Sequence, residues 1–382
     1  MEMALHVNVS YNISRINNMQ FDPSLYYPVY IYSLLVLSLI YSLGISHENT
    51  GFILNKSNNK FYLIYIGLFL VLVGLRPISG YYFGDTANYA VDYSSYESGR
   101  LLDPDAKEYV FAWLMYQSAK IMDVHGFYLL VEFFYIVPVL WACYKFVPNH
   151  YILMFLFCMG AFSFFTYGTN GIRNGMACSL IIAAFACVHG SLIQKIIGGL
   201  LCFAAFNIHR STALPIACII GSFFVKDTRY IMGFWLFSIV VSLVAGGPIE
   251  NFFASLGFDD RMTSYGSDNI DASAFSSTGF RWDFLLYSTM PIVLGYYVVF
   301  VRKVWDKNYL LLLNTYILCN SFWVMMIRAS YSNRFAYLSW FMYALVLAYP
   351  CLKLPIWKDQ GAKTAMIFMA HLGFTLFMYW IG

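Results

Sequence analysis

Charge is what this sequence has little of. Only 11% of its 382 residues are Asp, Glu, Lys or Arg, against roughly 25% in a water-soluble domain. That leaves too few charges to cover a water-facing surface, and no stretch reads as a separate soluble domain. Familiar catalytic signatures are missing too: there is no Walker sequence, no HExxH and no GxSxG. None of the eight cysteines (Cys143, Cys158, Cys178, Cys187, Cys202, Cys218, Cys319 and Cys351) has C-x-x-C spacing, and all fall in or beside apolar segments. They read as small buried hydrophobes, with neither a disulfide nor a metal site expected. Internal repeats and low-complexity tracts are absent. A cleavable leader is not expected either. Residues 1–27 are polar, and segment 28–46 lacks a small-residue cleavage site, which suits a retained first helix.

Apolar residues, by contrast, make up 60% of the chain and come in long blocks. A helix needs about 20 of them to cross a ~30 Å hydrocarbon core. Candidate spans are 28–46, 61–76, 126–146, 150–168, 172–190, 193–208, 211–225, 230–246, 284–301, 309–327, 334–351 and 364–381. The expected fold is therefore all-α and polytopic: one integral membrane domain, 1–382, with about twelve transmembrane helices and two long loops. The first loop, 77–125, has a polar, Tyr-rich first half. In its second half, 107–122, Tyr109, Trp113, Tyr116 and Ile121 stand at near-helical spacing, which predicts an amphipathic helix at the membrane surface. The second loop, 247–283, is rich in Gly, Ser and Asp.

Basic residues orient the chain. With the N-terminus outside, the inner loops hold Lys56, Lys60, Lys145, Lys195, Lys226, Arg229, Arg302, Lys303, Lys307, Lys353, Lys358 and Lys363, so each short inner loop carries a positive charge. Both long loops and both termini then lie outside. The 23 basic residues split 12 inside and 11 outside, but the types differ: ten Lys and two Arg inside, nine Arg and two Lys outside. Guanidinium is a planar fork that matches phosphate in bidentate fashion, while ammonium is a hydrated point charge. Sixteen of the twenty acids share the outer side and account for part of the arginine excess. The rest points to an anionic ligand there.

Four segments could carry chemistry. In FNIHRSTALP, 206–215, a tight turn joins two helices. From Lys195 to Phe206 is about 11 residues, or roughly 17 Å of helix, so the turn with His209 and Arg210 is expected below the outer surface. Polar groups at that depth are buried in protein or line a wet cavity, and ionisable ones default to function. The bland alternative is a histidine satisfied by a carbonyl and a snorkelling arginine. In YGTNGIRNGMA, 167–177, Arg173 with Asn170 and Asn174 opens a helix, where free N–H groups attract anions; the alternative is a glycine-rich helix contact. In IRASYSNRFAY, 327–337, Arg328 and Arg334 flank a short loop and could grip a diphosphate or simply anchor at the interface. In GYYFGDTANYAVDY, 80–93, Asp85 stands among Tyr81, Tyr82, Tyr89 and Tyr93; carboxylates and flat rings suit sugars, though an ordinary polar loop has the same composition. Glu132, inside the third span, reads as an arginine partner. Asp103-Pro104-Asp105 looks like a metal-binding acidic pair, and a Pro-centred turn explains it equally well.

On four short elements, GDT-x-x-Y at 84–89, GIRNG at 171–175, IHRSTAL at 208–214 and RFAY at 334–337, the sequence resembles the EpsG-like group of Wzy-type O-antigen and exopolysaccharide polymerases. The layout agrees over nearly the whole chain. The family's Arg-Gln pair stands here as Arg173-Asn174, whose amide has a shorter reach. The resemblance implies a GT-C-like membrane glycosyltransferase in the bacterial inner membrane with its active site facing the periplasm. It would transfer a glycan chain from undecaprenyl pyrophosphate to the next lipid-linked repeat unit, with no metal, cofactor or nucleic acid. Membrane lipids and a chain-length regulator protein are the other implied partners. On that reading Arg173, Arg210, Arg328 and Arg334 would hold the pyrophosphate. His209 would serve as base, since imidazole takes up protons near neutral pH, with Asp85 in reserve. Tyr81, Tyr89, Tyr93, Asn170 and Asn174 would hold the glycan. An O-antigen ligase shares this logic and differs in acceptor. A lipid-linked oligosaccharide flippase is disfavoured by the two long loops and the lack of related halves. A glycan acyltransferase is disfavoured by the outer placement of His209.

Overall fold

The computed structural model describes residues 21–54, 60–255, 279–329 and 332–381, which form helices and turns with no strand among them. The helices are α1 (Tyr26–Ile45), α2 (Lys60–Gly74), α3 (Gly80–Phe83), α4 (Thr86–Glu97), α5 (Tyr109–Ser118), α6 (Val124–Phe146), α7 (Tyr151–Met159), α8 (Phe164–Thr169), α9 (Ile172–Cys187), α10 (Leu192–Ile208), α11 (Ala213–Phe224), α12 (Thr228–Ser255), α13 (Trp282–Tyr296), α14 (Lys307–Met325), α15 (Ser332–Lys353) and α16 (Gln360–Ile381). Their starts are written in the sequence. Asp123 accepts from Gly126 N at 2.8 Å to cap α6, and Asp306 accepts from Asn308 and Tyr309 N at 2.9 Å to cap α14. Ser191 and Gln194 form a reciprocal capping box at α10.

Among the described residues, six helical stretches are long and apolar enough to cross a membrane: Pro23–Ile45, Val124–Phe146, Thr228–Ala245, Trp282–Val301, Ser332–Lys353 and Gln360–Ile381. Shorter apolar helices cover Lys60–Gly74, Ile172–Cys187, Leu192–Ile208 and Arg210–Phe224. The protein is thus a polytopic helical membrane protein. At the centre of one half, α14 packs against α11, α12, α13 and α15. It buries Asn314, Thr315, Asn320 and Ser321, polar groups that lower its apolarity and suit contact with protein rather than lipid.

Two sequence expectations need correction. Segment 150–168, expected as one span, breaks between Met159 and Phe164 into α7 and α8. Non-helical backbone inside a membrane protein must find partners from its own chain, and three distant side chains supply them. Tyr30 donates to Met159 O, Thr375 to Gly160 O at 2.7 Å, and His371 Nε2 pairs with Phe157 O at 3.0 Å. The first half of segment 77–125 is not loop but helix, α3 and α4. One face of α4 is buried through Thr86, Tyr89, Ala90 and Tyr93, the i, i+3, i+4, i+7 spacing of an amphipathic helix. Of the second long segment, α12 runs to Ser255 through a kink at Ala245, and 256–278 lie outside the described residues.

Connections gather into two sets at opposite ends of the bundle. One joins Thr50 to Lys358, His150 to Phe52, and Tyr349 to Asp306. The other joins Arg76 to Thr169, Asp85 to Asn170, and Glu108 to His209. Segments assigned to a common side by their Lys and Arg content are therefore in contact with one another.

Candidate active site

The second set of connections holds a polar cluster, and it is assembled from short local devices. Gly84 (φ 52°, ψ −117°) and Asp85 (φ −62°, ψ −7°) make a type II′ turn between α3 and α4. The positive φ suits glycine, and a Cβ here would stand 2.4 Å from the Asn170 side chain. Asn170 packs into that space and its Oδ1 accepts from Asp85 N at 2.8 Å. Thr86 Oγ1 donates to Phe83 O and to Thr169 O, at 2.9 and 2.8 Å. The GDT element is thus locked onto the turn before α9.

Three residues beyond Thr86, Tyr89 comes around the same face of α4. Its hydroxyl accepts from Arg173 Nε at 2.9 Å. Arg173 sits in the first turn of α9, and Gly175 lets that turn lie close on α8: a Cβ there would meet Tyr167 O at 2.4 Å. Arg173 Nη1 pairs with Glu108 Oε2, just before α5. The other oxygen of Glu108 meets His209 Nδ1 at 2.5 Å. His209 ends α10 in extended conformation (φ −151°, ψ 112°), which turns its ring away from the helix. Next to it, Arg210 is exposed and Nε donates to Lys107 O at 2.8 Å. Residues 107 and 108 therefore gather both arginines and the histidine.

The electrostatics follow from that arrangement. Burial pushes the Glu108 carboxyl up, but the hydrogen bond and charge of His209 and the charge of Arg173 outweigh it, leaving the group below its ordinary value. An ionised carboxylate only accepts, so His209 Nδ1 carries the hydrogen and Nε2 is the nitrogen left to exchange protons. The side chains of Arg173, Glu108 and His209 are 29%, 19% and 25% exposed, so the cluster is reachable from outside. Among the described residues none accepts from Arg173 Nη2 or from the terminal nitrogens of Arg210.

The other expected site residues divide. Arg334 is half-buried near Tyr167, whose ring stacks on Tyr337 with centroids 3.2 Å apart, so the RFAY element joins the 167–173 turn. Arg328 is exposed and lies over Phe280 at 5.7 Å, with no described contact to the cluster. Asp85 is the residue before α4 and receives Asn88 Nδ2 at 3.4 Å. Tyr81 is exposed. Tyr93 is fully buried and donates to Met122 O at 2.9 Å, which turns it into the core. Asn174 is buried and accepts from Cys178 Sγ at 3.2 Å, also facing inward. Asp103 Oδ1 accepts from Asp105 N at 2.9 Å, as a turn does, and no trio of His, Cys, Asp or Glu gathers for a metal among the described residues.

Glu108 escaped the reading of the sequence, because nothing local separates it from the other acids of its segment. A usable signal was its place in the first turn of the expected helix 107–122, beside Lys107. Arg76 and Glu132 are two further ionisable groups, both buried. Arg76 is 1% exposed, donates to Val73 O and Thr169 O at 2.9 and 3.0 Å, and acts by charge on Glu132, whose two oxygens bond to no described residue.

The fold and the site define a class: a multi-pass helical membrane protein whose polar centre is clamped between segments at one end of the bundle. The chain belongs to the EpsG family, whose profile matches residues 59–382 and so takes in every residue of the cluster. EpsG is a family of Wzy-like polysaccharide polymerases, and membership implies polymerase- or glycosyltransferase-like activity. No curated protein and no solved structure matches the chain.

Proposed function

We propose that the protein polymerises surface polysaccharide, moving a growing glycan from undecaprenyl pyrophosphate onto the next lipid-linked repeat unit. The acceptor hydroxyl oxygen attacks the anomeric carbon, the bond from that carbon to the diphosphate oxygen breaks, and lipid diphosphate leaves. The hydroxyl proton passes to His209 Nε2. Glu108 keeps the imidazole in the tautomer and direction this requires. Arg173 and Arg210 face the charge that grows on the leaving oxygen, with Arg334 flanking, which is the pre-placed stabilisation such a step needs. On this reading the chain spans the inner membrane about twelve times and the cluster faces the periplasm, where a chain-length regulator could meet it.

The observation that carries the reading is one carboxylate, Glu108, joining a guanidinium and an imidazole from separate helices within a family of polysaccharide polymerases. A His209→Ala strain tests it. Lipid-linked single repeats should accumulate and the long-chain glycan ladder should vanish. A normal ladder contradicts the role of His209.

A further inference from the structure

Away from the cluster, α12 and α13 both pack against α14 and leave a groove of about 610 Å³ between them. Its walls are apolar: Leu236, Ile292 and Val293 line it, and Leu236 and Val293 are more than half exposed. Trp235 forms part of the wall and is fixed by Nε1 donating to Asn320 Oδ1 of α14 at 2.8 Å. One charged group interrupts this lining, Arg229 in the first turn of α12, with the hydroxyl-bearing Thr289 and Tyr296 as the other polar members. Its guanidinium lies over the Phe300 ring at 5.5 Å, so the start of α12 and the end of the α13 stretch meet there. Lys226, Arg302 and Lys303, all exposed, lie within three residues of those two positions.

We propose that this groove binds an anionic glycerophospholipid of the surrounding bilayer, one acyl chain along the apolar walls and the phosphate on Arg229. An apolar trough with a cation at one end matches an amphiphile with an anionic head, and the neighbouring lysines and arginines add to that field. The substrate's own lipid is the less suitable occupant. Arg229 stands at the far end of α11 from His209, and the twelve residues of that helix rise roughly 18 Å. A headgroup at Arg229 therefore lies toward the opposite end of the bundle from the cluster.

The test titrates the full chain in detergent with phosphatidylglycerol, phosphatidylcholine or undecaprenyl phosphate and reads binding by native mass spectrometry. Wild type should bind phosphatidylglycerol better than phosphatidylcholine. Arg229→Ala should weaken phosphatidylglycerol roughly fivefold, the value of one cationic contact near a membrane surface, and weaken phosphatidylcholine less, because its phosphate is balanced by its own ammonium. Gly233 supplies a second variant, because a Cβ there meets nothing within 4 Å. Gly233→Leu puts a branched side chain into the groove and should weaken both phospholipids. Equal binding of the two phospholipids by wild type, an undiminished preference in Arg229→Ala, or unchanged binding in Gly233→Leu each overturns the proposal. So does undecaprenyl phosphate binding tighter than phosphatidylglycerol in an Arg229-dependent way, which would make the groove a substrate site.

Discussion

Removing the Glu108 carboxylate should disable chain growth while leaving the protein folded. Its two oxygens engage Arg173 and His209, which come from different helices, and its side chain is only 19% exposed. A hydrogen bond to a charged partner is worth about 1.5–3 kcal/mol. Loss of the one to His209 frees the ring to turn away, and that free energy corresponds to roughly 10- to 150-fold in rate. Loss of the one to Arg173 adds to this, because Tyr89 alone then holds the fork. Glu108→Ala should therefore lower elongation by about two orders of magnitude. Glu108→Gln keeps one carbonyl acceptor and should lie between. Both variants should still fold, since the apolar core is untouched, with melting lowered only by the loss of these polar contacts. The assay is elongation of a lipid-linked repeat by purified protein, beside a melting curve of the same sample. Elongation within twofold of wild type for Glu108→Ala, with the fold intact, refutes the reasoning.

Gly84→Ala places a side chain at φ 52° and against Asn170, so strain of about 1–3 kcal/mol should lower the melting temperature; unchanged melting would show that the turn relaxes freely. The pH dependence follows from Glu108. Its folded value lies below the ordinary 4.5, so its contribution is fully present above that value and disappears as pH falls through the lower folded value. The stability difference between wild type and Glu108→Gln should hold steady from neutral pH to about pH 5 and shrink below pH 4; a difference that grows on acidification contradicts the assigned direction.

Much of the architecture was legible because lipid and protein interiors both demand apolar runs, and those runs became helices close to the expected bounds. The break at Met159–Phe164 was not legible. Its carbonyls are satisfied by Tyr30, His371 and Thr375, residues more than a hundred positions away, and no local pattern announces such partners. The helix over Thr86–Glu97 was obscured for another reason: it is polar on average, and only its inner face, Thr86, Tyr89, Ala90 and Tyr93, obeys the helical period. At the candidate site, Arg173, His209 and Arg210 stood out as ionisable groups at helix ends. Tyr89 stood out as a sugar contact, and its hydrogen bond from the Arg173 guanidinium was not legible. Glu108 gains its meaning only from tertiary contact.

The most direct measurement of the central claim uses purified full-length protein in lipid nanodiscs with a synthetic undecaprenyl-diphosphate-linked repeat as both donor and acceptor. The account predicts a ladder of lengthening glycans with stoichiometric release of undecaprenyl diphosphate, and no ladder from the folded Arg173→Ala protein. A ladder formed by Arg173→Ala at the wild-type rate, or growth by wild type only when a nucleotide sugar is supplied, would contradict it.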